Sequence, residues 1–198
     1  MLRRRGDPVQ PPGVAGEQDE VRLLAGIAAG ELPSFDALYR IYHPRLTRFL
    51  ERMTRRPGMV EELLNDTMLV VWRRAGTYNG RCKVSTWVFA IAYRKALKGL
   101  QRLDEAVDSD GAEDFPAAAD AEPEHHLGQR QLHALLMQAL QGLSAEHRAV
   151  VDLTYFHGMG YREIADVVDC PVDTVKTRMF HARRRLKLLL GGRLEELL

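Results

Sequence analysis

The sequence predicts an all-α protein: two small helical domains joined by an acidic flexible linker, the C-terminal one containing a helix-turn-helix. Three observations lead there. Apolar residues recur every three or four positions through most of the chain, the period of a single buried helix face. No run of alternating β-branched residues, the mark of a half-buried strand, occurs anywhere in the 198 residues. Charge is also partitioned by segment, although the whole chain nets only +1. Ser34 to Arg102 holds 14 Lys/Arg against 5 Asp/Glu, and Gln129 to Arg193 holds 10 against 6. Between them, Leu103 to Glu124 carries 9 acids and no base. Two basic modules around an acidic connector suit a nucleic-acid binder better than the neutral average suggests.

Residues 1–17 are rich in Pro, Gly and Arg and bury little, so a disordered tail is expected. The start Met1-Leu-Arg-Arg-Arg5 resembles the charged end of an export signal. Gly6-Asp-Pro-Val-Gln-Pro-Pro-Gly13 follows in place of an apolar core, which argues against export. No segment approaches the roughly 18 apolar residues that span a bilayer, so a soluble, cytoplasmic chain without membrane insertion is expected.

The first domain is placed at 18–102. Ser34 is the expected cap of a helix whose Phe35, Leu38, Tyr42, Leu46, Phe49, Leu50 and Met53 share one face. Pro44 inside that pattern should kink or split it. Arg56-Pro-Gly58 breaks the chain before a helix from Val60 to Ala75, on which Val60, Leu63, Leu64, Thr67, Met68 and Val71 face a core. A second stripe on it, Glu62, Asn65, Asp66 and Leu69, is acidic with a leucine at its end. In a basic module such a stripe is either a solvated face or a docking surface for a basic partner helix.

Gly76-Thr-Tyr-Asn-Gly80 leads into a loop holding Arg81, Cys82 and Lys83, after which Ser85 or Thr86 should cap a helix running to Arg102. Its buried stripe is Phe89, Tyr93, Ala96, Leu97 and Leu100. Trp87, Arg94, Lys98, Gln101 and Arg102 share another face. A Trp beside cations is either ordinary packing with snorkelling side chains or the stacking surface and charge that single-stranded nucleic acid needs.

Residues 103–126 form the acidic linker, ending in His125-His126. The second domain is placed at 127–198. It opens with a helix carrying Leu132, Leu135, Leu136 and Ala139, closed by Gly142. Ser144 should then cap a helix through Phe156 with Val150, Leu153 and Thr154 inward. His157-Gly-Met-Gly160 introduces the helix-turn-helix. Ile164, Ala165 and Val168 repeat at helical spacing, and small Ala165 permits close helix approach. Asp169-Cys-Pro171 stops that helix, because a residue before proline disfavours the α region. The next helix should restart at Asp173 or Thr174, with Val175, Met179, Ala182 and Leu186 as its buried stripe. Outside that stripe lie Thr174, Lys176, Thr177, Arg178, His181, Arg183, Arg184, Arg185 and Lys187. No acid occurs from Thr174 to Leu190, whereas solvated helix faces usually mix signs. This is how a recognition helix presents donors to a DNA major groove.

A catalytic reading finds no support: no nucleophile–base set, phosphate-binding glycine loop or metal spacing recurs, so no cofactor, metal or small-molecule substrate is expected. Cys82 and Cys170 sit in different modules and read as semi-buried thiols of a reducing compartment.

Two separated segments resemble bacterial RNA polymerase sigma factors, specifically the extracytoplasmic-function (ECF) group of the sigma-70 family. The first comprises Phe35-Asp-Ala-Leu-Tyr-Arg-Ile-Tyr42, Val60-Glu-Glu-Leu-Leu-Asn-Asp-Thr-Met-Leu-Val-Val-Trp72 and Ser85-Thr-Trp-Val-Phe-Ala-Ile-Ala92. The second comprises Leu143-Ser-Ala-Glu-His-Arg-Ala-Val-Val-Asp-Leu153, Gly160-Tyr-Arg-Glu-Ile-Ala165 and Thr174-Val-Lys-Thr-Arg178. The resemblance implies a non-enzymatic subunit that binds core RNA polymerase and directs promoter-specific initiation. It implies a region 2-like first domain and a region 4-like second one. Docking on the β′ clamp helices would fall to Glu61, Glu62, Asn65, Asp66 and Leu69. Reading and melting of the −10 element would fall to Tyr78, Asn79, Arg81, Lys83, Ser85, Thr86, Trp87, Arg94 and Lys98. Reading of the −35 element would fall to Thr174, Lys176, Thr177, Arg178, Phe180, His181 and Arg184, with the β flap gripped by the same domain. An anti-sigma factor is an implied further partner.

The chain departs from the family pattern at Arg94, His181 and Asp173, which leaves the bases read in each element open. An Asp at that helix start repels phosphate unless it caps the helix, which Asp173 is placed to do. Two other readings compete. A sigma mimic that sequesters an anti-sigma factor would not need Trp87 or the basic helix. A conventional helix-turn-helix regulator would leave the Glu62/Asp66 face without a role.

Overall fold

The computed structural model of the chain describes residues 16–107 and 135–194, and every regular element among them is helical. The expected tail before residue 16, the part of the acidic linker after residue 107, His125-His126 and Leu132 lie outside the described residues. The first group begins with a helix that the periodicity reading passed over, α1 (Glu17–Ala28). Glu17, Asp19 and Glu20 fill its first turn, where carboxylates suit the exposed N–H groups of a helix start. Leu24 and Ile27 bury its inner face. Gly30 at φ +86 then reverses the chain, a conformation that costs glycine little.

α2 (Leu32–Thr54) starts two residues before Ser34, with Pro33 in its first turn, where a missing N–H is harmless. Ser34 therefore does not cap the helix; its hydroxyl donates to Glu31 at 2.8 Å. Nor does Pro44 split it. α2 continues through Pro44, because Leu38, Tyr42, Leu46, Phe49, Leu50 and Met53 bury one unbroken stripe on both sides of it. Burial of each such side chain contributes about 1.5–3 kcal/mol, which offsets one lost helical hydrogen bond.

Arg55 adopts φ 59 and ends α2, and Pro57 opens α3 (Pro57–Arg74), three residues earlier than expected. The stripe Val60, Leu63, Leu64, Thr67, Met68 and Val71 is buried as the spacing predicts. A short 3-10 turn (Ala75–Thr77) leads through the loop to α4 (Val84–Val107), whose range runs past Arg102. α4 also begins before Ser85 and Thr86, so neither hydroxyl is its cap.

The second group contains α5 (described over residues 135–141), α6 (Ala145–Tyr155), α7 (Tyr161–Val168) and α8 (Val172–Leu194). Ser144 caps α6 by accepting from the His147 N–H at 3.4 Å. Val150 and Leu153 are fully buried, and Thr154 is half-buried.

The two groups close on each other, a relation that periodicity alone leaves open. α7 lies along α4 and α6 lies against α2, and one apolar core runs from Leu24 to Ala182 through both groups. Arg148 of α6, only 4% exposed, joins them. Its guanidinium donates to Leu140 O (3.2 Å) and Leu143 O (2.8 Å) in its own group, and to Arg52 O (2.9 Å) and Met53 O (2.7 Å) of α2. Helix ends leave such carbonyls unpaired, and a cation there also meets the negative end of the helix dipole. Burial lowers its pKa to about 10, which keeps it charged at neutral pH. Beside it, Arg52 of α2 pairs with buried Asp152 of α6. The His157 ring packs 4.4 Å from Phe89 and 6.0 Å from Phe49, and faces Asp152 at 3.4 Å without hydrogen-bond geometry.

Candidate nucleic-acid interface

The turn between α7 and α8 is built from its sequence. Asp169 takes the left-handed conformation (φ 52) that ends α7, and the Pro171 carbonyl accepts from the N–H groups of Thr174 (2.9 Å) and Val175 (3.2 Å). α8 accordingly starts at Val172, ahead of the expected Asp173 or Thr174. Asp173 sits within the first turn, and its carboxylate holds Lys176 at 2.9 Å instead of capping the helix. An acid in a first turn still matches the positive end of the helix dipole. Val175, Met179 and Ala182 are buried, and Leu186 is half-buried. Lys176, Thr177, Phe180, His181, Arg183, Arg184 and Arg185 are exposed, and Phe180 stands 63% open beside the His181 ring at 5.5 Å. Thr174 and Arg178 are half-buried. Arg178 donates to Cys170 Sγ at 3.9 Å, and its charge also acts on the Tyr93 hydroxyl of α4.

The second cluster lies around the loop before α4. Tyr78 donates to the Cys82 carbonyl and packs edge-on against Trp87 at 5.9 Å, which fixes the loop on the helix it precedes. The Asn79 side chain accepts from the Arg81 N–H at 3.1 Å, an Asx-type turn. Arg81, Lys83, Arg94 and Lys98 are exposed, Ser85 and Trp87 are half-buried, and Thr86 is buried with its hydroxyl unpartnered. On α4, Trp87 is thus partly covered while Arg94 and Lys98 are open.

An open cleft of about 310 Å³ separates this loop from α7. Glu163 and Asp166 line its far wall, two acids that the spacing of α7 gave no reason to select. Lys83 pairs with Glu163 at 2.8 Å. That pair raises the Lys83 pKa, and although burial pushes Glu163 up, Lys83 and the Gly160 N–H bring it below its usual range. Burial pushes the Cys82 thiol up, away from the reactive thiolate.

On α3, Glu61, Glu62, Asn65 and Leu69 are exposed along one face, with Leu69 at 43%. Asp66 belongs to the same stripe but is half-buried and holds Lys95 of α4 at 2.6 Å. No cluster of metal-binding side chains occurs among the described residues, and no described helix is long and apolar enough to cross a membrane.

Known proteins match both groups of helices. The family description Sigma-70 region 2 matches residues 38–105, and Sigma-70, region 4 matches residues 133–186. The ECF RNA polymerase sigma factor SigM of Mycobacterium tuberculosis is 31% identical over 175 residues, covering 88% of this chain and 86% of the relative. This chain belongs to the ECF sigma factors of the sigma-70 family. The RNA polymerase sigma-H factor of Pseudomonas aeruginosa is 28% identical over 189 residues, covering 91% of this chain and 97% of its own.

Among solved structures, the sigma factor RpoE of Bartonella quintana, crystallised with the anti-sigma factor NepR, shares the fold. Its TM-score is 0.67 at 24% identity, over 81% of this chain and 98% of that one. CnrH in complex with the cytosolic domain of CnrY gives 0.66 at 22% identity, over 88% and 98%. As a sigma factor the chain confers promoter-specific initiation on RNA polymerase, and its family is not one of enzymes. The mimic and the conventional regulator give way to this assignment.

Proposed function

We propose that this sigma factor divides its work among the three faces, with 18–102 as the region 2-like domain and 127–198 as the region 4-like one. The exposed half of α8 enters the major groove of the −35 element through Thr174, Lys176, Thr177, Arg178, Phe180, His181 and Arg184. The loop Tyr78–Lys83 and the outer side of α4 take the melted −10 strand. There Trp87 and Tyr78 offer stacking surfaces, and Arg81, Lys83, Arg94 and Lys98 offset phosphate charge. Glu61, Glu62, Asn65, Asp66 and Leu69 dock on the β′ clamp helices, while the second group grips the β flap. The protein works in the cytoplasm, and an anti-sigma factor of the kind paired with its structural relatives holds it in check.

The observation that carries this reading is the polar face of α8, which stays acid-free from Thr174 to Leu190 while its apolar stripe is buried. The test is in vitro transcription with core polymerase on a genomic library, run with two variants. Glu62→Lys is preferred to Asp66→Lys because Asp66 also holds Lys95. It should abolish co-purification with core polymerase and leave the fold intact. Arg184→Ala should weaken promoter binding by about tenfold and leave polymerase affinity unchanged. Retained co-purification in Glu62→Lys, or loss of polymerase affinity in Arg184→Ala, would refute the division of labour.

A further inference from the structure

We propose that His181 makes the −35 contact proton-dependent: α8 meets DNA with one more charge, and holds it more tightly, when this imidazole is protonated. The inference rests on the assignment of α8 to the −35 groove given above and concerns how that face is regulated. Its first support is the place of the residue. His181 is exposed, and Thr177, Arg178, Arg184 and Arg185 lie three or four residues from it, so it shares the proposed groove-facing side of the helix. The other exposed cations of α8, Lys176, Arg183, Arg184, Arg185 and Lys187, carry side chains that stay charged throughout the physiological range. Histidine alone changes charge near neutrality, ordinarily at about 6.5.

The second support is what surrounds the ring. His147 of α6 meets it edge-on at 6.3 Å and 86°, and Phe180 meets it at 5.5 Å and 78°. Edge-to-face contacts on two sides favour one orientation of the imidazole. His147 itself is suited to stay neutral. Its Nδ1 lies 2.7 Å from Ser144 Oγ, which already accepts the His147 backbone N–H, so the hydroxyl hydrogen can be donated to Nδ1 of an uncharged ring. Burial, joined by His181 and Arg178 and opposed by Glu146, pushes His147 below the usual histidine range.

The third support is the charge nearby. Arg178, Arg184 and Arg185 lie within about one turn on α8. From α6 come His147 and Glu146, whose carboxyl its own backbone N–H, Ser144 and Arg178 bring below the usual range. Asp169 and Asp173 lie about two turns or more toward the start of α8, where Asp173 holds Lys176. Arg162, Glu163 and Asp166 of α7 line the cleft beside Lys83. A positive charge added among the guanidiniums meets repulsion, which duplex phosphates replace with attraction. Binding therefore takes up a proton at His181. By linkage, affinity rises as pH falls, by up to about tenfold per pH unit for one proton.

The experiment measures how tightly the holoenzyme, the full chain with core polymerase, binds a promoter fragment taken from the transcript starts above. Affinity is read from about pH 6 to about pH 8 at several salt concentrations. The unmodified protein should bind about tenfold more tightly at the acid end than at the alkaline end. Its salt slope should also be steeper there by about 0.9, the increment of one further phosphate neutralised. His181→Gln should show the alkaline affinity and slope at every pH, and His181→Arg the acid ones. His147→Gln should keep the pH dependence.

A pH profile that the unmodified protein shares with His181→Gln would overturn the proposal. So would a salt slope that does not change with pH, or loss of the whole pH dependence in His147→Gln. If Arg184→Ala weakens binding at no pH, the assignment of α8 to the −35 groove falls instead, and the proposal with it.

Discussion

Glu20 is a carboxylate in a place that favours its neutral form. It is 6% exposed between α1 and α2, accepts the Tyr42 hydroxyl at 2.7 Å, and has Arg45 only at 3.7 Å. Burial raises its pKa above the ordinary 4.5, against the opposing pull of Tyr42 and Arg45. An acid whose folded pKa is raised contributes full stability below its unfolded value and loses it as pH rises through the folded value. Glu20→Gln keeps an acceptor for Tyr42 and cannot ionise. The melting temperature of the variant should therefore exceed that of the unmodified chain near neutral pH, and the gap should close as pH falls below 4.5. A gap independent of pH would show that folding leaves the Glu20 pKa unshifted.

At the scale of elements, α1 and α2 meet at a residue whose role is absence. A methyl group on Gly26 would collide with Ser34 Oγ and Glu31 Oε2 and lie 2.9 Å from Ser34 Cβ, so the start of α2 would have to shift. Gly26→Ala should cost about 1–3 kcal/mol, read as a lower denaturation midpoint. Gly58 on α3 is the control, since a methyl group there meets nothing within 4 Å. Gly58→Ala should be neutral or stabilising by up to about 1 kcal/mol.

These two glycines also mark how far the sequence can be read. The buried stripes of α2, α3 and α8 follow their spacing closely, because burial on one helix face is a local, periodic property. Helix starts shifted by one to three residues wherever Pro33, Pro57 or Pro171 offered an initiation that a Ser, Thr or Asp cap seemed to offer later. α1 has only Leu24 and Ile27 fully buried among its apolar residues, too few to stand out as a stripe. The exposed cations of α8 could be named from the acid-free run. Arg148, Asp152 and Glu163 could not, since their roles depend on carbonyls and cations far away in the chain, in the other group of helices.

At the scale of the molecule, the question is whether two groups sharing one core behave as one cooperative unit. Two-state unfolding requires that neither group gain by melting alone. The interface here couples them strongly. Unfolding of the second group would expose the Phe49 and Phe89 rings packed on His157, uncover α4 along α7, and strand the α2 carbonyls that Arg148 holds. Each such bond from a charged donor contributes about 1.5–3 kcal/mol net, which melting of α6 forfeits. Calorimetry of the free chain should therefore show a single transition whose measured enthalpy equals its van't Hoff enthalpy. In Arg52→Glu the like charge beside Asp152 disfavours the docked state, and the trace should resolve into two transitions, one for each group. Two transitions in the unmodified chain would mean that the shared core contributes less than the stability difference between the groups.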